Sequence, residues 1–134
     1  MTSPFAYVPF PVPAHERTRS LFINNPGVEI MPDIPDKVLS LMLAGCESMT
    51  AICETRLPRD LRDLVVIKCD QLTELPELPE GLKYLRVESC HLLTKLPSLP
   101  KSLYYLWLED LPMLTQTEPV SVQKLCVRDC PNFE

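Results

Sequence analysis

The sequence predicts a solenoid, a chain wound in short turns whose strands stack into one parallel sheet. Three observations predict it. One phrase is written twice: Cys69-Asp-Gln-Leu72-Thr73-Glu-Leu75-Pro76-Glu-Leu78-Pro79-Glu-Gly-Leu82-Lys-Tyr-Leu85-Arg-Val87 returns from Cys90 to Leu108, with Leu93, Thr94, Leu96, Pro97, Leu99, Pro100, Leu103 and Leu106 in register. The step from Cys69 to Cys90 is 21 residues. A middle leucine then phases the rest of the chain, falling at Leu21, Leu41, Leu64, Leu85, Leu106 and Leu125 in steps of 20, 23, 21, 21 and 19. Finally, each phrase closes on an alternating run (Leu21/Ile23, Leu41/Leu43, Leu64/Val66, Leu85/Val87, Leu106/Leu108, Leu125/Val127), the period of a short strand with one buried face.

The other half of each turn is set by proline. Met31-Pro-Asp-Ile34-Pro, Leu75-Pro-Glu-Leu78-Pro and Leu96-Pro-Ser-Leu99-Pro place a proline every third residue, which forbids a helix interior and favours polyproline II. Leucines three apart then share one inward face. Extended chain stacks near the roughly 4.8 Å spacing of strands, whereas helices need about 8–10 Å between axes. A fixed period near 20 with leucines at these spacings marks a leucine-rich repeat. The expected fold is therefore a leucine-rich-repeat solenoid of the α/β horseshoe class, built mostly of β structure with extended convex segments. It has about six repeats, curves gently, and carries a single parallel sheet on its concave face.

The first turn spans roughly residues 18–37, with Ile30, Ile34 and Val38 in leucine slots and Pro26 in the slot that later holds cysteine. The second carries the 23-residue step, read as a two-residue convex bulge around Cys53-Glu-Thr-Arg. The fifth is irregular: Leu111 replaces the cysteine, and Thr117 and Glu118 stand near the expected Leu-Pro. Residues 1–17 read as a separate proline- and aromatic-rich arm. Its Phe5, Tyr7, Val8 and Phe10 either cap the first repeat, as terminal repeats require, or serve export or docking. Residues 18–134 form the repeat domain, and past the sixth strand only Phe133 is placed to cover the end.

Composition excludes several functions. A net charge of −5 with no basic stripe argues against nucleic acid and anionic membrane. No run approaches the 18 or so apolar residues of a membrane helix, and the N-terminus lacks the pattern of a cleavable signal. The histidines, His15 and His91, have no register partner that would make a catalytic pair, and no phosphate-binding loop occurs around Gly27, Gly45 or Gly81. Catalysis and cofactors are not expected.

Cys46, Cys69, Cys90 and Cys130 each fall five residues after a middle leucine, in the slot that turns inward at a strand's end. We read them as a structural ladder bonding to backbone groups of neighbouring turns. Their spacing does not fit a zinc site, and parallel Cβ vectors argue against disulfides.

The outward positions of the strands carry the functional signal. The residue after each middle leucine reads Phe22, Met42, Val65, Arg86, Trp107, Cys126, and the one before it reads Ser20, Ser40, Asp63, Tyr84, Tyr105, Lys124. A solvated strand face favours Thr, Lys, Glu and Ser, whereas Tyr84, Arg86, Tyr104, Tyr105 and Trp107 are types enriched in binding hot spots. These five, with Val65 and Met42, are the candidate protein-binding residues. Cys126 is the one cysteine expected outward.

The phrase Cys/Asn-x-x-Leu-Thr-x-Leu-Pro-x-Leu-Pro-x-x-Leu-x-x-Leu-x-Val resembles the short LPX class of leucine-rich repeat found in bacterial effectors delivered by type III secretion, the YopM-like and IpaH-like proteins. The resemblance covers residues 18–130, is close in turns three and four, and is loose in five and six. It implies a scaffold that binds a host protein on its concave face, is secreted without a cleavable signal, and acts in the host cytoplasm or nucleus. The ubiquitin-ligase domain of the IpaH type is not implied, because no cysteine here has Asp two residues on. The cysteine ladder, with Cys130-Pro131, is also similar to the repeats of plant immune receptors. The expected function is thus a non-enzymatic protein-binding module, with an intracellular adaptor of the producing cell, cytoplasmic, as the alternative. Weak end-to-end self-association through the edge strands is a further expectation.

Overall fold

The computed structural model describes residues 20–27, 29, 34–50, 57–115 and 121–133. Six strands follow in chain order: β1 (Ser20–Ile23), β2 (Ser40–Ala44), β3 (Asp63–Ile67), β4 (Tyr84–Glu88), β5 (Tyr105–Glu109) and β6 (Lys124–Arg128). They form one sheet in sequential order, every pair parallel. The fold is a β-solenoid. No helix occurs among the described residues, so the described part of the layer opposite the sheet is turns and extended chain, not the helices of an α/β horseshoe.

Register follows the leucine phase. Leu21, Leu41, Leu64, Leu85, Leu106 and Leu125 are successive partners across the sheet, as are Ile23, Leu43, Val66, Val87, Leu108 and Val127 two residues on. Because side chains alternate, a one-residue slip would expel both rows from the interior. Leu85, Val87, Leu106 and Leu108 are wholly buried, and the same cluster takes in Leu75, Leu78, Leu82, Leu93 and Leu103 from the proline-rich half. Among the described residues the buried set contains no polar or charged side chain. Each buried leucine contributes roughly 1.5–3 kcal/mol through removal of its apolar surface from water.

Two tight turns per repeat connect strand to extended segment. Before β2, β3, β4 and β5 the proline carbonyl accepts from the amide three residues on: Val38 to Pro35 at 3.1 Å, Leu61 to Pro58 at 3.1 Å, Leu82 to Pro79 at 3.2 Å and Leu103 to Pro100 at 3.1 Å. After β2 to β6 the residue in the cysteine slot does the same, as in Leu72 to Cys69 at 3.1 Å and Leu93 to Cys90 at 3.2 Å. Proline donates nothing at these positions, so the ladder loses no bond to it.

The corner between strand and cysteine is a left-handed residue. Gly45, Lys68, Ser89, Asp110 and Asp129 have φ of 70, 55, 54, 54 and 51°. The amides of the first four continue the sheet, with Lys68 donating to Glu88 O at 2.9 Å and Ser89 to Glu109 O at 3.0 Å. The reversal drives the next side chain inward: Cys46, Cys69, Cys90 and Leu111 are fully buried. On the far side Thr94 donates to Thr73 O at 3.2 Å and Thr115 to Thr94 O at 2.9 Å, so turns are held in register at both edges of the interior.

The two ends differ. Leu21 and Ile23 of β1 are half-buried and packed on the core, whereas Leu125 and Val127 of β6 are 50% and 37% exposed. The expected N-terminal arm, the bulge at residues 53–56 and the irregularity at 117–118 lie outside the described residues.

Two substitutions check this packing. Leu85→Ala should cost about 2–5 kcal/mol in urea unfolding, as truncations of enclosed leucines do. Gly45→Ala should cost about 1–2 kcal/mol, because φ is 70° and the added Cβ would stand 3.1 Å from Asn24 Oδ1. Loss of under about 0.5 kcal/mol at Leu85 would contradict the phasing.

Candidate functional site

On the outward face, sheet register places Tyr84 beside Tyr105 and Arg86 beside Trp107. The Tyr84 and Tyr105 rings are 5.2 Å apart at 39°, and Tyr105 lies 6.2 Å from Trp107 with planes 13° apart. The Arg86 guanidinium sits 4.3 Å from the Trp107 ring centroid, and Arg128 approaches the same ring at 5.8 Å. Such cation–π contacts contribute about 0.5–2 kcal/mol each. Four of the candidate residues therefore form one continuous constellation.

Two carboxylates hold it in place. Glu88 Oε2 accepts from Arg86 Nε at 3.0 Å and from Nη2 at 2.7 Å. Glu109 Oε1 accepts from Trp107 Nε1 at 3.0 Å. Both carboxylates lie two residues beyond their donor on the same strand, which period-2 alternation puts on the same face. That parity is legible in the sequence, yet Glu88, Glu109 and Arg128 were absent from the residues it singled out. With side chains already bonded, little rotamer freedom remains to be lost on binding.

Tyr104 stands apart, 47% exposed, with Lys124 Nζ 5.8 Å from its ring. Met42 and Val65 occupy outward positions, as the alternation requires, but they offer no surface, at 6% and 1% exposed. Both also lie outside the interior cluster. The candidate residues that remain accessible on this face thus lie on β4 and β5, with Tyr104 just before β5.

The thiols of the cysteine ladder point to carbonyls: Cys46 to Ile23 O at 3.6 Å, Cys90 to Glu88 O at 3.5 Å and Cys130 to Arg128 O at 3.1 Å. All described cysteines are free, and only Cys126 is not buried. The bond with Cys69, then burial, pushes the Cys46 thiol above its ordinary range. Cys69 is pushed up to about 12, because the lowering effect of its bond with Cys46 is outweighed by Cys90 and burial. Such thiols are poor nucleophiles.

A cluster that sequence reading did not resolve lies past the strand ends. His91 Nε2 is 3.0 Å from Asp110 Oδ2 and Nδ1 is 3.2 Å from Asp70 Oδ1, so one imidazole ties three successive turns. Ser89 Oγ donates to Asp110 Oδ2 at 3.0 Å. The Asp110 bond raises the His91 pKa above its ordinary 6.5, and the His91 bond lowers Asp110 below 3.8. The signal was the 21-residue offset from Asp70 to His91.

The pH dependence of this clip has a definite sign. A raised histidine stabilises the fold below its unfolded pKa and loses that effect as pH rises through the folded value; a depressed carboxyl contributes above its unfolded pKa and loses it on acidification. His91→Gln should therefore lower the melting temperature most between the ordinary values of the two groups, 3.8 and 6.5, and less as pH rises past the latter. An offset that does not vary with pH would contradict the clip. In a Cys53→Ser background, native thiol labelling should modify Cys126 alone, and Cys126→Ser should abolish it.

Compared with known proteins, the chain matches no family model, no curated protein and no solved structure.

Proposed function

We propose that the chain is a protein-binding module of the LPX leucine-rich-repeat kind, acting by binding and not by catalysis. In this reading it is a secreted bacterial effector whose target is a host protein. The fold supports the repeat assignment through its 21-residue register, its proline-started turns and its inward cysteines. Secretion and the host target rest on the likeness of the phrase to LPX effectors.

The observation that carries the binding reading is the stack of Arg86, Trp107 and Tyr105 on an open strand face. A free solvated face gains little from a tryptophan whose N–H and both neighbours are fixed. Trp, Tyr and Arg in preorganised patches dominate interface energetics, commonly at 2 kcal/mol or more each. The flat β4–β5 surface with its polar rim suits a folded partner.

Trp107→Ala and Tyr105→Ala should weaken capture of the partner from host-cell lysate at least about 30-fold, while circular dichroism stays native. Glu77→Ala, exposed on the opposite side of the turn, should leave it intact. If Glu77→Ala abolishes capture while the aromatic pair does not matter, the partner sits on the proline-rich side.

A further inference from the structure

The last strand presents a second surface, which adjoins the Trp107 stack through Arg128. Among the described residues β6 pairs with one strand only, β5. Lys124 N donates to Tyr104 O at 2.9 Å and Arg128 O accepts from Asp110 N at 2.9 Å, so residues 124 and 128 direct their backbone groups toward β5. Alternation along a ladder leaves the N–H and C=O groups of Leu125 and Val127 facing the open edge. Their side chains face the interior direction, in register with the wholly buried Leu106 and Leu108, yet they are 50% and 37% exposed. Hydrogen-bonding capacity and apolar surface thus remain together on one five-residue strand.

The charge on this edge selects its occupant. Lys124 and Arg128 are exposed on the outward side, flanking Cys126, in a chain of net charge −5. Glu109, the register neighbour of Arg128, is already bonded to Trp107 Nε1. A second copy pairing antiparallel through β6 and centred on Cys126 would set Lys124 of each copy opposite Arg128 of the other. Like charges directly opposite destabilise a strand pair, and cations on an edge are a known guard against self-pairing.

We propose that β6 is a strand-addition site for an extended acidic segment of a partner protein, one that alternates carboxylate and apolar side chains. Its backbone pairs with Leu125 and Val127, its apolar residues cover those two side chains, and its carboxylates meet Lys124 and Arg128. Strand addition of this type takes its affinity from main-chain bonds and its specificity from alternate side chains.

The test titrates the full chain with a blocked peptide of alternating glutamate and valine, and with the corresponding lysine–valine peptide. Fluorescence of Trp107, the chain's single tryptophan, is the readout. The acidic peptide should bind and the basic one should not. Lys124→Glu/Arg128→Glu should weaken the acidic peptide at least about 10-fold and admit the basic one. Val127→Pro removes the edge-facing N–H and the valine side chain without costing a hydrogen bond to β5, so it should abolish binding while circular dichroism stays native. The proposal is overturned if the acidic peptide does not bind, if Val127→Pro binds it normally, or if the charge reversal leaves the preference unchanged. A β6-dependent dimer in light scattering, lost in Val127→Pro, or preferential binding of single-stranded DNA at Lys124 and Arg128 would equally overturn it.

Discussion

The structure depends on parallel in-register pairing between consecutive turns. Each strand is only four or five residues long and buries one face two side chains wide, too little to persist alone. Pairing at both edges of the interior converts these fragments into continuous rows: Leu85 under Leu106, Val87 under Leu108, Thr73 O bonded to Thr94 N. The left-handed corner at Gly45, Lys68, Ser89, Asp110 and Asp129 is the cost of that arrangement. Four of the five corners accept a conformation that L-residues avoid by roughly 1–2 kcal/mol, since each supplies a sheet hydrogen bond and turns an apolar residue inward.

The same constraint builds the surface. Residues fixed inward by Leu and Val leave their neighbours fixed outward, and the 21-residue step brings those neighbours side by side. Arg86 meets Trp107 because Leu85 meets Leu106. A side chain that would be a solvated rotor on an isolated strand becomes one wall of a stack. The His91 clip arises likewise, as the offset from Asp70 to Asp110 places two carboxylates on either side of one imidazole.

Much of this was legible in the sequence because the interior is apolar and periodic. The middle leucines located all six strands, and the cysteine slot was read correctly down to the leucine that replaces it at 111. The outward face was assigned correctly by alternation for Tyr84, Arg86, Tyr105 and Trp107. Exposure was not: Met42 and Val65 point outward yet are covered, and a one-dimensional pattern gives direction without giving what lies above. The carboxylates Glu88 and Glu109 were missed because charged residues at strand ends look like ordinary solvated positions until their donors are known. The convex side was expected to be extended, and the absence of helix among its described residues follows from proline at every third residue.

If each turn is a unit that adds to the stack through register alone, then a chain with residues 69–89 duplicated in tandem should fold as a longer version of the same solenoid. Stability in repeat arrays grows with the number of matched interfaces. The most direct test is the urea unfolding midpoint of that duplicated chain beside the natural one. A single cooperative transition at higher urea is the result the in-register account predicts; a lower midpoint, or two separate transitions, would contradict it.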